Sequence, residues 1–300
     1  MTEPWYVLGP GAMGSLFACY LQQAGFPVYL IGRGGQAVAC TIERIEADAC
    51  FQHAFTTAPA HAPIQQLLVT VKAHQTQVAL QSIQARLAPR ATIVFLQNGM
   101  GAWGAAEQAF PDGTLLLGTT TEGANRPTPR QIRHAGSGAT HFGALHPAQH
   151  SAALALCRQW SGLPLTLEAD SNIQARLWQK LAINCAINPL TALYDCPNGD
   201  LLDNPTALAQ METICEEVAT VMVRVCELNG IEKPVQDLFA LVRTVATRTA
   251  GNISSMLQDV RNHRETEIDC ITGFLLQEAQ RQGIHCPLNE QIYKQVRQLY

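Results

Sequence analysis

The 300-residue chain is short of charge. Only 15% of it is Asp, Glu, Lys or Arg, and acids outnumber bases by 24 to 20, for a net charge of −4. No basic excess is available to hold a nucleic acid or an anionic membrane surface, so neither partner is expected. No uninterrupted apolar run reaches the ~18 residues that a membrane-spanning helix requires. Cysteine is plentiful, at ten, but no two of them form a C-x-x-C pair. In a chain of this length they read as buried free thiols of a reducing compartment rather than a disulfide framework. The opening residues run through Glu3-Pro4-Trp5 into a short apolar strand without the basic stretch of a signal peptide, which gives the expectation of a cytoplasmic protein. Also missing are a G-x-S-x-G nucleophile elbow and any metal-ligand spacing around His141, His146 and His150. There is no internal repeat.

What is present divides the chain in two, as its length suggests. Short apolar runs at Trp5–Leu8, Pro27–Ile31, Leu67–Val71 and Ile93–Leu96 alternate with helix-length segments such as Ser15–Ala24. That alternation predicts βαβ units around a parallel sheet. Thr114–Thr121 and His134–Ala144 read as strands closing its edge. From about Asp170 the texture changes to apolar residues three and four apart, as in Ile173, Leu177 and Leu181, or Val218, Val221, Val225 and Leu228. This is the stripe of a helix with one buried face. Gly199, Gly230 with Pro234, and Gly283 with Pro287 punctuate these helices. Nine basic and eight acidic residues lie in positions 1–169, against eleven and sixteen from position 170 onward. The expected fold is α/β, with a Rossmann-type dinucleotide-binding domain over residues 1–168 followed by an all-helical domain over 169–300.

Gly9-Pro10-Gly11-Ala12-Met13-Gly14 lies between the first strand and the first helix, the context that gives G-x-G-x-x-G its meaning. The first glycine makes the turn, the second lets a pyrophosphate approach, and the third lets helix and strand pack closely. The helix then offers the phosphates its unpaired N–H groups. An NAD site of this type places an acid at the end of the second strand. Here no acid occurs between Glu3 and Glu43, and that strand ends in Gly32-Arg33-Gly34-Gly35. A guanidinium there either holds the 2′-phosphate of NADP or is simply solvated.

Lys72 and Asn98 sit at the carboxyl ends of strands, where α/β sheets form their ligand crevice. Lys72 with Gln75 reads either as a contact to phosphate or carboxylate or as ordinary loop chemistry, and Asn98-Gly99 either as a nicotinamide-ribose contact or as a turn. In Arg176–Pro189, the residues Lys180, Asn184 and Asn188 recur every four positions and share one face of an otherwise apolar helix. Two asparagines inside such a helix need partners, supplied by a substrate or by a structural hydrogen-bond network. Asn252 and Ser254 are candidate caps for a following helix. The Arg264–Asp269 stretch and the trio Arg126, Arg130 and Arg133 read as solvated surface.

Several collinear motifs make the chain resemble the 2-dehydropantoate 2-reductase (ketopantoate reductase) family over essentially its whole length. They are Gly9–Ser15 with Arg33, Lys72–Gln75, Gln97–Gly101, Gly118–Thr121, Leu177–Leu181 through Asn184, Asn188–Ala192, Cys196–Gly199, Asn252–Met256 and Glu267–Asp269. The resemblance implies NADPH-dependent reduction of 2-dehydropantoate to (R)-pantoate in pantothenate biosynthesis, by a monomer or homodimer. It makes Lys180 the proton donor. Asn98, Asn184, Asn188, Asn198 and Ser255 become substrate contacts. The glycine loop, Arg33, Lys72, Gln75, Asn98, Ala124 and Glu267 become cofactor contacts, with Glu267 also orienting the catalytic site. The same scaffold suits a reductase of another 2-oxo acid or an imine, or a non-catalytic NADP-binding sensor. The Lys180 face argues against the sensor.

Overall fold

The computed structural model describes residues 2–47, 49–232 and 235–300; Pro234 lies outside them. Along the chain, β1 (Trp5–Leu8), α1 (Ala12–Gln23) and β2 (Val28–Ile31) are followed by β3 (Cys40–Glu46), β4 (Ala49–Phe55) and β5 (Ile64–Val69). Then come α2 (Thr76–Ile83), β6 (Leu87–Leu96), α3 (Gly104–Ala109), β7 (Thr114–Thr120), β8 (Gly123–Thr128), β9 (Gln131–Gly136), β10 (Ala139–Ala144), α4 (His150–Gln159) and β11 (Thr166–Ala169). The rest is helical: α5 (Ile173–Tyr194), α6 (Asp200–Asp203), α7 (Pro205–Asn229), α8 (Leu238–Arg248), α9 (Ser255–Arg261), α10 (Thr272–Arg281) and α11 (Pro287–Val296). The chain forms two compact units, one of Met1–Gln97 with Ala102–Ile173, the other of Asn98–Gly101 with Gln174–Tyr300.

In the first unit, seven strands form a sheet in the order β11-β10-β7-β6-β5-β1-β2. The run from β2 to β7 is parallel, and β10 joins it antiparallel. β1 is buried throughout, as are Leu67–Val69 of β5 and Ile93–Leu96 of β6, which is why these stretches read as continuous apolar runs. A second sheet, β4-β3-β9-β8, packs against α1 through β3, β8 and β9. With sheets on two sides, α1 is buried from Gly14 to Leu21. At the other end of this core Trp160 meets Trp5 and Phe142, with ring centroids 4.8 and 5.5 Å apart.

Two strand expectations are corrected. His134–Ala144 is not one strand. The chain breaks after Gly136 and crosses from the second sheet to the first at Ala139, because a Cβ on Gly138 would lie 2.5 Å from Thr121 and only glycine passes there. Nor does β10 close the sheet: β11 pairs beyond it and forms the edge. Five of the ten cysteines are buried as expected, four are half-buried and Cys50 is exposed; all ten are free.

The second unit is built on α5 and α7. Asn204 caps α7 by accepting from the Thr206 and Ala207 amides, and Gly230 ends it in the left-handed conformation at φ 63°. The Glu217 carboxylate of α7 accepts from the Leu288 and Asn289 amides at 3.0 Å each and from Asn289 Nδ2 at 2.7 Å, so a side chain of α7 satisfies the first turn of α11.

Candidate active site in two parts

The glycine loop follows β1 because the backbone there has to turn sharply. Gly9 adopts φ 93°, its N–H donates to the Ile31 carbonyl, and its own carbonyl accepts from Thr70 Oγ1 at 2.8 Å. A Cβ on Gly9 would lie 2.6 Å from the Val71 nitrogen, and one on Gly14 would lie 2.2 Å from Thr70 Oγ1. Both glycines therefore serve close packing. Gly11 differs: a Cβ there would meet nothing within 4 Å. It caps α1 with no side-chain hydrogen bond to the first-turn amides, and the first turn holds no acid. An open space over uncapped N–H groups, with Ala12 and Met13 opening the helix, suits a dinucleotide diphosphate.

The other expected cofactor residues of this unit lie on its loops. Arg33 is exposed at the end of β2, between glycines, and its guanidinium pairs with no carboxylate among the described residues. Its freedom and the absence of an acid suit a 2′-phosphate. Lys72 is half-buried and opens the 3₁₀ turn Ala73–Gln75, where the Gln75 amide donates to the Lys72 carbonyl at 2.8 Å; Gln75 is exposed. Gln97 Nε2 bonds the Val71 carbonyl at 2.5 Å and Thr76 Oγ1 at 2.7 Å, fixing that turn from behind. Ala124 is the second residue of β8 and packs on the core. Just before it, buried Glu122 holds His134 Nε2 at 2.7 Å, and His134 Nδ1 lies 2.8 Å from the Tyr20 hydroxyl of α1. This chain of three side chains fastens the approach to β8 onto the helix that follows the glycine loop.

The second unit gathers the remaining residues. Lys180, Asn184 and Asn188 are half-buried along α5. Burial of the Lys180 amine lowers its pKa from 10.5 to about 8, and the Glu267 carboxylate acts the other way by stabilising the charged form. The lysine and the glutamate, far apart in sequence, are thus electrostatic partners. Glu267 opens a 3₁₀ turn, its carbonyl accepting from the Cys270 and Ile271 amides, with Thr266 and Ile268 buried beside it. The solvated helix face expected for Arg264–Asp269 is a turn instead, exposed only as far as Glu265. Asn98–Gly101 packs on this turn. The Met100 amide donates to the Cys270 carbonyl at 3.0 Å, and a Cβ on Gly99 would lie 2.5 Å from that same oxygen. Asn98 is thereby brought to the Glu267 turn.

A further set converges on the far half of α5. Thr191 Oγ1 is within hydrogen-bond distance of the Asn188 carbonyl (2.8 Å) and the Ser254 hydroxyl (2.7 Å), while Ser254 caps α9 by accepting from the Leu257 amide. The cap is therefore Ser254 rather than Asn252. Ser255 follows it, exposed at the first helical position. Asn198 is 8% exposed, donates its Nδ2 to Thr249 Oγ1 at 2.9 Å and its amide to the Asn252 carbonyl. Its Oδ1 is buried without a hydrogen-bond partner. Thr249 Oγ1 donates to the Val245 carbonyl, which fixes the Asn198 amide with its oxygen outward from that pair. An orphaned acceptor of this kind costs free energy until a donor reaches it. Sequence reasoning missed Thr70, the Thr191–Ser254 contact and the Glu122–His134–Tyr20 chain, whose partners are 12 to 114 positions apart and carry no local signal. Among the described residues no group of side chains could hold a metal ion, and no helix is long and apolar enough to cross a membrane.

Hydride chemistry needs a seat for a dinucleotide and a proton source able to let go near neutral pH; the open N-terminus of α1 suits the first and Lys180 suits the second. These features place the protein among the dinucleotide-dependent oxidoreductases. Its residues 5–147 match the model of the family described as ketopantoate reductase PanE/ApbA, and residues 172–300 match the C-terminal model of the same family. The chain belongs to the ketopantoate reductase PanE/ApbA family. It is 37% identical to a 2-dehydropantoate 2-reductase of Vibrio cholerae over 294 residues, covering 98% of this chain and 96% of that protein. Among solved structures it is similar to a probable 2-dehydropantoate 2-reductase of Bacillus subtilis, at 30% identity and a TM-score of 0.79 over 99% of this chain and all of that one. It is also similar to a ternary structure of D-mandelate dehydrogenase with NADH and anilino(oxo)acetate, at 25% identity and a TM-score of 0.88 over 99% and 98% of the two chains.

Proposed function

We propose that the protein is a cytoplasmic enzyme that reduces 2-dehydropantoate to (R)-pantoate with NADPH, a step of pantothenate biosynthesis. Residues 1–168 form its cofactor-binding part and 169–300 its substrate-binding and catalytic part. Bound NADPH supplies a hydride to the ketone carbon. Lys180 supplies the proton: its ammonium stabilises the developing alkoxide, donates to that oxygen and is left as a neutral amine, so ketone, hydride and proton balance as a secondary alcohol. The observation that carries the assignment is the polar face of α5, where Lys180 stands in line with Asn184 and Asn188 and has the Glu267 carboxylate as its charge partner, while burial draws its pKa down to about 8. At neutral pH such a group is mostly charged and still gives up its proton far more readily than an ordinary lysine.

The asparagines hold the substrate that the lysine protonates. Asn98, Asn184, Asn188, Asn198 and Ser255 bind the carboxylate and hydroxyl, and the buried acceptor Asn198 Oδ1 suits the hydroxyl hydrogen rather than an anionic carboxylate. The Gly9–Gly14 loop with Pro10, Ala12 and Met13 receives the diphosphate, Arg33 the 2′-phosphate, and Lys72, Gln75, Asn98, Ala124 and Glu267 complete the cofactor contacts. Replacement Lys180→Ala is expected to lower kcat by about 10²–10⁴-fold while leaving the Kd for NADPH within about a factor of two. An unchanged kcat removes Lys180, and with it this reading of the site.

A further inference from the structure

Arg126 belongs to a basic trio that reads from sequence as solvated surface, and it is indeed exposed on β8. Its guanidinium nevertheless has a specific address. Nη1 donates to the carbonyl of Pro10, inside the glycine loop and 116 positions away in sequence, and Nη2 donates to the carbonyl of Pro129. The Pro10 carbonyl also accepts from Ser15 Oγ at 3.1 Å, so it holds its shape with or without the arginine. A guanidinium has five N–H donors, of which two are used here, and Arg126 pairs with no carboxylate among the described residues. Glu122, the acid nearest to it in sequence, is buried against His134. Arg126 and Arg130 both act electrostatically on the Cys40 thiol, so two guanidiniums flank this side of the unit. An unpaired arginine fastened to the residue before Gly11 stands beside the open space over the α1 amides, with donors to spare.

We infer that Arg126 is a further cofactor-binding residue that contacts the bridging diphosphate of the dinucleotide. The inference rests on the nicotinamide-dinucleotide reading above and adds to it a charge supplied from the second sheet. The α1 N-terminus offers the diphosphate only partial charges, whereas a guanidinium offers a full charge in a fork that matches phosphate oxygens. The role differs from that of Arg33. A 2′-phosphate is present in NADPH and absent from NADH, but the diphosphate is common to both.

The test is direct binding, by calorimetry or fluorescence titration, of NADPH and of NADH to the wild-type protein and to Arg126→Gln, Arg126→Lys and Arg33→Ala. Glutamine can still donate to the Pro10 carbonyl, so it removes the charge while allowing the loop contact. Arg126→Gln should weaken NADPH and NADH by the same factor, about tenfold to a hundredfold, with Arg126→Lys in between. The salt dependence of binding should become shallower, as befits a lost charge contact, and the melting temperature of the unliganded protein should stay where it was. Arg33→Ala should weaken NADPH much more than NADH. Equal affinities in wild type and Arg126→Gln overturn the inference, and so does a loss confined to NADPH, which belongs to the 2′-phosphate. If the wild-type protein binds neither dinucleotide, the cofactor reading itself has failed, an outcome separate from the first two.

Discussion

Replacing Glu267 by glutamine isolates the electrostatics on which the proposed proton transfer from Lys180 depends. In the wild-type protein the Lys180 amine titrates at about 8, with burial drawing it down and the Glu267 carboxylate drawing it up. An opposite charge at short range moves a pKa by about 1–3 units, so without the carboxylate the amine should lose its proton about one to two pH units lower. A general acid works only while protonated. The kcat for reduction is therefore level below the pKa of Lys180 and falls about tenfold per pH unit above it. Wild type should hold its rate to about pH 8, and Glu267→Gln only to about pH 6–7. At about pH 7.5 the protonated fraction drops from roughly three quarters to about a tenth, so the variant turns over several-fold more slowly, whereas near pH 5.5 the titration difference almost vanishes. Oxidation of the hydroxy acid needs the neutral amine and should rise with pH through the same breaks. The assay is initial-rate NADPH oxidation across pH with both substrates saturating, which separates this effect from weakened cofactor binding. An alkaline limb that stays in place when Glu267 is replaced, or moves upward, refutes the pairing of these two groups.

Two further outcomes follow from the geometry. Gly11→Val should leave the melting temperature within about 1 °C of wild type but abolish NADPH binding, because its side chain occupies only the open space over α1, whereas Gly14→Val should unfold the loop and lower both, because its Cβ meets Thr70 at 2.2 Å; calorimetric melting with a binding titration distinguishes them. Glu217→Ala removes the acceptor for two amides of α11 and the Asn289 side chain, and should lower stability by about 1–3 kcal/mol in denaturant titration with kcat unchanged.

Much of the first unit was legible because its signals are local. Strand, glycine loop and buried helix occupy Trp5–Gln23 without interruption, and the fully apolar strands declare a sheet covered on both faces. The second sheet was not legible. β3 pairs in parallel with β9 from Glu43↔Gln131 onward, a contact across 88 positions, and β4 is mostly exposed, so neither strand shows clean alternation. In the helical unit the spacing of Lys180, Asn184 and Asn188 declared a shared face, since one helix turn fixes it. The partnership of Lys180 with Glu267 depends on how α5 packs against a turn 87 positions on, and the charged residues preceding Glu267 disguise it as solvated surface. Arg126 escaped for the same reason: its partner is a backbone carbonyl, which leaves no mark on side-chain patterns.

Everything above converges on one activity, the reduction of 2-dehydropantoate with NADPH. Its most direct test is the rate of NADPH oxidation by the purified protein with 2-dehydropantoate, beside NADH and beside a panel of 2-oxo acids that includes an aryl one, the class suggested by the likeness to D-mandelate dehydrogenase. Turnover with NADPH and 2-dehydropantoate should be fast, at least about tenfold above NADH and above every other 2-oxo acid. Faster turnover of another 2-oxo acid, or tight NADPH binding with no turnover of any of them, contradicts that expectation.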